Sequence, residues 1–378
     1  MQASLTLKKE GTLRRTTTFT AFLLLLLAAA LAAGCDMSFG IYRSIVEEKP
    51  QIGADLFKNV TVEGFAEDST YYYASLAKVF RRAKTGETWE QFSIDNDQNY
   101  ERAMIASDGS RLYAALSYAD GSFRILYTDD SGVHWTDLEA TSHGLPSSGA
   151  LQWMDLANGM LFVALRQGTD WTLYYWDGAA FQICINPLQK PLLGVVWNGS
   201  EYLALTAGSV YRGPADAMVE DTAAGAPAGD GTVVLRNIFA HGGKTYVSTS
   251  DGHVFINDGS AWSSFEFRAS TDLGPLCYLS LPSATPRLLV AKRSATPFGY
   301  MEYDLDHAVR KENGSDYIST SSSVYLSTVS GKIVRKFWTS ADGKVMFILL
   351  AAGGTDSYAL YRNTYNESSS TWSGWSAE

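Results

Sequence analysis

Gly86, Gly132 and Gly178 stand 46 residues apart, each in a short polar stretch that runs into an aromatic residue. The three stretches are Lys84-Thr85-Gly86-Glu87-Thr88-Trp89, Thr128-Asp129-Asp130-Ser131-Gly132-Val133-His134-Trp135 and Asp177-Gly178-Ala179-Ala180-Phe181. Asn257-Asp258-Gly259-Ser260-Ala261-Trp262 repeats the pattern with Gly259 81 residues after Gly178, and Ser369 with Trp372 follows 110 residues later. At units of about 40 to 55 residues these gaps count two units each, which makes seven in all. A period of this length leaves few folds open, because every unit must be the same supersecondary element stacked on its neighbours.

A second set of turns runs in phase with the first. Ser107-Asp108-Gly109, Ala157-Asn158-Gly159, Trp197-Asn198-Gly199, His241-Gly242-Gly243 and Ala341-Asp342-Gly343 each precede an apolar run, such as Leu112-Tyr113-Ala114-Ala115-Leu116 or Val345-Met346-Phe347-Ile348-Leu349. Asx-Gly pairs suit the positive φ of tight hairpins, and the runs suit half-buried strands. Each unit therefore reads as four antiparallel strands, and the expected fold is all-β, a propeller of seven four-stranded blades. Two regions break the pattern. The small-residue segment Asp221 to Gly231 reads as a flexible loop standing in for the fourth boxed turn, with a flap over the funnel as the sharper alternative. Residues 306–323 lengthen unit six without a recognisable box.

Thr128, Asp130, Gly132 and Trp135 match S/T-x-D-x-G-x-x-W at every defined position, so the stretch resembles the Asp-box (BNR) turn of sialidases and other Asp-box β-propellers. The resemblance implies a turn on the outer rim, away from the funnel where ligands bind. Asp130 would accept N–H bonds within the turn, Gly132 would take a conformation closed to other residues, and Trp135 would pack between sheets. These four residues are expected to be structural.

The amino-terminal segment carries a different message. Lys8, Lys9, Arg14 and Arg15 precede an apolar stretch from Phe19 to Ala33, too short for the roughly 20 residues of a spanning helix. It ends in Leu31-Ala32-Ala33-Gly34-Cys35, which resembles the lipobox of bacterial lipoproteins, with Ala32 where that family prefers Leu. The resemblance implies a signal peptide over 1–34 and a lipidated Cys35 (palmitate among its chains); the stretch it opens, 35–54, shows no sustained period and reads as a tether, and the repeats put the propeller over 55–378. The resemblance places the protein in the bacterial cell envelope, held to the inner or outer membrane through Cys35.

Formal net charge is −10, and removal of the leader, with four Lys/Arg and one Glu, takes it to −13. A nucleic-acid partner is not expected of so acidic a chain. Cys184 and Cys277 lie in apolar contexts and could be buried thiols or a disulfide. His134, His143, His241, His253 and His307 show no metal-ligand spacing, so no metal and no cofactor is expected. No nucleophile elbow or phosphate loop appears. Phe123-Arg124-Ile125-Leu126 only approaches the F/Y-R-I-P motif that announces the arginine triad of sialidases, and it runs into the boxed turn like an ordinary strand. The expected function is a lipid-anchored, non-catalytic binding or assembly scaffold that recognises a protein or glycan through propeller loops. Some Asp-box relatives are lipid-anchored assembly factors. The rival is a sialidase-like glycoside hydrolase, which leaves enzymatic activity open.

Overall fold

The computed structural model describes residues 56–378 except 282–283, 294–298, 305–308, 312–332, 341 and 352–357. Among the described residues the regular elements are all strands, grouped in seven antiparallel sheets in chain order. Blades 1 to 7 span 64–92, 102–137, 150–188, 192–220, 235–266, 273–311 and 334–377. Within each, the first four strands are neighbours in chain order, joined by local hairpins; in blade 7 a short fifth strand, Ser376–Ala377, pairs back with Leu360–Asn366. The first strand of each blade, such as Arg102–Ser107, Ala150–Ala157 and Val334–Thr339, lies innermost against the first strands of adjacent blades. The seven-bladed propeller is thus present as the spacing of turns predicts.

Both sets of turns fall where the repeat puts them. The Asx-Gly set joins first to second strands, and the aromatic-flanked set joins third to fourth. Turns of both sets share one device, a carboxylate or amide oxygen that caps the hairpin, as at Asp108, Asp177, Asn198 and Asp258. Asp108 Oδ1 accepts the N–H groups of Ser110 (2.9 Å) and Arg111 (2.8 Å), and Asp258 Oδ1 those of Ser260 (3.0 Å) and Ala261 (3.1 Å). Such Asx turns pair N–H groups that the ladder leaves open.

Seven hydrophobic clusters fill the seven junctions between blades, one each. A blade buries both faces because it is sandwiched, which is why second strands such as Leu112–Ser117 read as continuous apolar runs. The aromatic after each rim turn serves these junctions. Trp89, Trp262 and Trp372 are buried in the clusters between blades 7 and 1, 4 and 5, and 6 and 7.

Two features differ from expectation. The fourth rim turn is Gly213 to Met218, between strands Val210–Gly213 and Val219–Glu220; it lacks a tryptophan, and Met218 enters the cluster between blades 3 and 4 instead. The small-residue segment 221–231 therefore does not replace that turn but links blade 4 to blade 5. Nor is it a flap over the funnel. Trp262 Nε1–H donates to Asp221 Oδ2 (2.7 Å), Gly229 N–H donates to the Gly208 carbonyl (2.8 Å), and Ala226 packs into the junction of blades 4 and 5. Of the two readings of Cys184 and Cys277, the structure has the buried thiols: both are free, in different junctions, and burial pushes the pKa of each up to about 12. Residues 1–55 and the box-less stretch 312–332 lie outside the described residues, so the leader, Cys35, the tether and most of the unit-six extension carry no structural account.

Blade 1 hides its first hairpin from a glycine search. Asp68 is buried and caps the turn alone: Oδ1 accepts the N–H groups of Thr70 and Tyr71 (both 2.7 Å), and Oδ2 the Tyr73 hydroxyl (2.6 Å). Burial pushes this carboxyl up, but the bonds from Tyr73, Tyr71 and Thr70 together outweigh it and hold the group below its ordinary value. A depressed carboxylate adds stability above its unfolded pKa, and that stability is lost as pH falls through the folded pKa. Asp68→Ala is therefore expected to cost about 2–4 kcal/mol at pH 7. In urea denaturation series the deficit should shrink below about pH 4; a constant deficit across that range would refute the role given to the charge.

Candidate functional site: the central channel

The seven innermost strands enclose a channel. Its larger chamber, about 730 Å³, is lined by residues of every blade, among them Gly64, Met104, Met154, Val195, Ile238, Leu276 and Phe337. A smaller chamber of about 300 Å³ lies among the ends of the first strands of blades 1, 2 and 7, with Phe65, Asp108 and Trp338 in its wall. Asp155 and Lys336 line both. They come from blades 3 and 7, which are not neighbours, and Lys336 Nζ lies 3.6 Å from Asp155 Oδ2. This ion pair spans the channel and separates the chambers.

The larger chamber concentrates cations in an acidic protein. Arg102, Arg335 and Lys336 face it with only Glu63 and Asp155 as counter-charges. Arg102 Nη2 and Arg335 Nη2 share one acceptor, Glu63 Oε2, at 3.4 and 3.7 Å. The ion pairs that brace blades are tighter. Arg81 meets Glu90 at 2.7 Å, Arg124 meets Asp137 at 2.7 Å, and Arg236 grips Asp272 with two bonds of 2.8 and 2.9 Å. Strong charge-assisted hydrogen bonds lie at roughly 2.7–2.9 Å. The channel cations are thus held only loosely by their carboxylates, Arg102 through one long hydrogen bond and Arg335 and Lys336 through contacts longer still. Across the opening, half-buried Trp153, Trp197 and Phe239 of blades 3, 4 and 5 line the wall.

The sequence-designated residues lie elsewhere. The 128–135 turn joins the two outer strands of blade 2. The Thr128 hydroxyl donates to Asp130 Oδ1 (2.7 Å), Gly132 N–H donates to Thr128 Oγ1 (2.9 Å), and His134 N–H donates to Asp130 Oδ1 (2.9 Å). The His134 N–H, then the Thr128 hydroxyl, hold the Asp130 carboxyl well below its ordinary value. Gly132 has φ +88°, and a Cβ there would lie 2.1 Å from Phe92 Cζ, so glycine is required twice over. Trp135 packs against Phe92 at a ring separation of 5.9 Å, in the junction of blades 1 and 2. Arg124 sits on the third strand of blade 2, bonded to Asp137 and Asp95, away from the channel. Among the described residues no three His, Cys, Asp or Glu side chains converge as metal ligands.

None of the channel charges stood out in the sequence. Arg102 and Arg335 are 233 positions apart, and only the phase of the repeat could have joined them, since each opens or nearly opens the first strand of its unit.

Fold and channel define the chain as a seven-bladed β-propeller. No protein-family model matches it, and no curated protein matches it in sequence. Solved structures do. YCF48 from Cyanidioschyzon merolae superposes with a TM-score of 0.55 at 11% identity over 81% of this chain and 97% of that one. A YCF48 bound to D1 peptide gives 0.52 at 13% over 78% and 90%. The GH74 enzyme of Niastella koreensis gives 0.57 at 14% over 85% and 54%. At these identities the likeness is one of fold.

Proposed function

We propose that this protein is a lipid-anchored scaffold of the bacterial cell envelope that binds a protein partner through the propeller channel and does no chemistry there. The carrying observation is the larger chamber, reached by all seven blades and lined by partly exposed cations that their carboxylates hold only loosely. Support for the address comes from the lipobox-like Leu31 to Cys35 after a basic, apolar leader. Residues 1–34 would be removed, Cys35 would carry acyl chains, and 35–54 would tether a propeller starting at 55. Two or three chains give stable anchoring where one does not. The 128–135 turn would act as an Asp-box fastener on the rim. That the same fold holds a peptide in YCF48 supports a protein partner here.

The glycosidase alternative has weaker support. A sialidase-like mechanism needs a tyrosine nucleophile and a free acid. Among the described residues no tyrosine lines the larger chamber, and Glu63 and Asp155 are both engaged with cations.

The test is affinity purification of the tagged protein from crosslinked native membranes, with Cys35→Ser as control. A near-stoichiometric partner recovered only with the lipidated form is expected, and the Cys35→Ser precursor should stay uncleaved. Recovery of the protein alone would refute the scaffold, and turnover of a fluorogenic sialoside would replace it with the glycosidase.

A further inference from the structure

We infer that the larger chamber recognises an acidic, apolar-flanked peptide segment: a carboxylate side chain seats among Arg102, Arg335 and Lys336, and a neighbouring aliphatic or aromatic side chain lies on Trp153, Trp197 and Phe239. This deepens the scaffold reading above and rests on it.

Charge is the first ground. Over the whole chain acids outnumber Lys and Arg by 40 to 30, yet the larger chamber reverses the ratio, with three cations to two carboxylates. The chamber thus carries a net positive charge inside a partly enclosed cleft, where the low-dielectric walls strengthen its field at the opening. An anionic group is drawn in where the rest of the surface repels it.

Donor availability is the second. Glu63 is shared by two guanidiniums at 3.4 and 3.7 Å, and Lys336 stands 3.6 Å from Asp155. The side chains of Arg102, Arg335 and Lys336 are 41%, 39% and 46% exposed, so a ligand reaches them without unfolding anything. A carboxylate at this wall makes shorter, charge-assisted bonds than Glu63 can make to both arginines at once.

The opposite wall decides between peptide and sugar. Apart from its charged residues the chamber offers three side-chain amides, Gln152, Asn158 and Asn237, and Asn237 Oδ1 is already taken by Leu276 N–H at 3.0 Å. A sugar ring can lay a C–H face on these aromatics, but every hydroxyl it buries around that face needs a partner, and away from the charged groups few are offered. An apolar side chain has no such demand. It gains from burial against the indole and phenyl faces.

The experiment uses the full-length protein in detergent and fluorescently labelled, end-blocked tetrapeptides alternating Leu with Glu, Gln or Lys, with glucuronate as an acidic-sugar competitor. The Glu-Leu peptide is expected to bind at least about tenfold more tightly than the Gln-Leu peptide, with the Lys-Leu peptide weakest. Arg102→Gln and Arg335→Gln should each weaken it by about tenfold, Arg335→Lys by less, and Arg166→Gln, at an exposed position near the end of the second strand of blade 3 and outside the chamber, not at all. Rising salt should weaken binding, since these charges are partly solvated. Equal binding of the Glu-Leu and Gln-Leu peptides, absence of Glu-Leu binding, indifference to both arginine substitutions, or displacement by glucuronate at concentrations comparable to the peptide would each overturn the inference. The membrane purification keeps the two ideas apart. A partner retained equally by wild type and the Arg102→Gln/Arg335→Gln double variant leaves the scaffold standing and removes the acidic-peptide site.

Discussion

Gly252→Ala is expected to destabilise the propeller by about 3–5 kcal/mol, by backbone strain and by a clash that no rotamer relieves. Gly252 turns the second strand of blade 5 into the third with φ +98°, and a Cβ built on it would lie 1.7 Å from the Arg268 carbonyl oxygen and 2.7 Å from its carbon. Those atoms belong to the link between blades 5 and 6, which docks on the turn. Phe267 and Arg268 N–H donate to the Gly252 carbonyl (2.8 and 3.1 Å), and Ser270 N–H donates to that of Asp251 (3.1 Å). Making room for a methyl pulls these bonds apart and loosens Phe267, which is 2% exposed in the core of the blade 5–6 junction. Gly259→Ala is the matched control. Gly259 has φ +95°, but its Cβ would meet open space, so only the backbone penalty of about 1–2 kcal/mol applies. Urea unfolding of the two variants, with hydrogen exchange followed over 249–253 and 266–272, separates strain from collision. Equal losses would show that the link yields freely and that the docking contributes little.

The contrast between Gly252 and Gly259 also shows what the sequence can convey. Gly259 belongs to the aromatic-flanked series, and such turns are legible because local chemistry alone dictates them: an Asx cap, a left-handed residue, an aromatic that needs burial. The same logic fails where another residue does the same job. Asp68 caps its hairpin without a glycine, and Met218 fills the place of a tryptophan, so blade 1's first turn and blade 4's rim turn are silent in a motif search. The channel is harder still. Arg124 and Arg102 both sit in strands of blade 2, yet one is bonded to Asp137 on the outer strands and the other lines the central void. Periodicity reports how many units there are and where each turns. Which charges meet across the ring depends on closure, a long-range condition with no local signature.

Closure itself is where a second large effect is expected. Every other junction joins blades that the chain connects directly, whereas the seam between blades 7 and 1 must be made by side chains and by residues far apart in sequence. Lys58 bridges Tyr358, Ala359 N–H donates to the Phe57 carbonyl (2.7 Å), and Tyr361 pairs with Ala377, so 57–58 and the 371–377 strands share one edge of blade 7. At the centre of the seam Arg82 is bonded to Glu378, which also accepts the Trp89 Nε1–H at 2.9 Å. The two charged side chains are 3% and 6% exposed. The Arg82 guanidinium lies 5.3 Å from the Trp89 ring and 5.6 Å from that of Tyr72, in surroundings where burial pushes its pKa down and Glu378 pushes it back up. Glu378→Ala strands that cation in the apolar seam and is expected to cost about 3–5 kcal/mol. Glu367→Ala also removes a direct ion pair, Lys344 to Glu367 at 2.7 Å, but one that is 34% and 63% exposed, and should cost no more than about 1 kcal/mol. The double variant Arg82→Leu/Glu378→Leu should recover most of the first loss, because two apolar side chains can replace a buried ion pair once neither charge is left alone. Urea midpoints for the two singles and the double close the thermodynamic cycle. If Glu378→Ala proves as mild as Glu367→Ala, water reaches Arg82 and the seam is held by its apolar cluster of Phe65, Tyr72 and Phe347 rather than by charge.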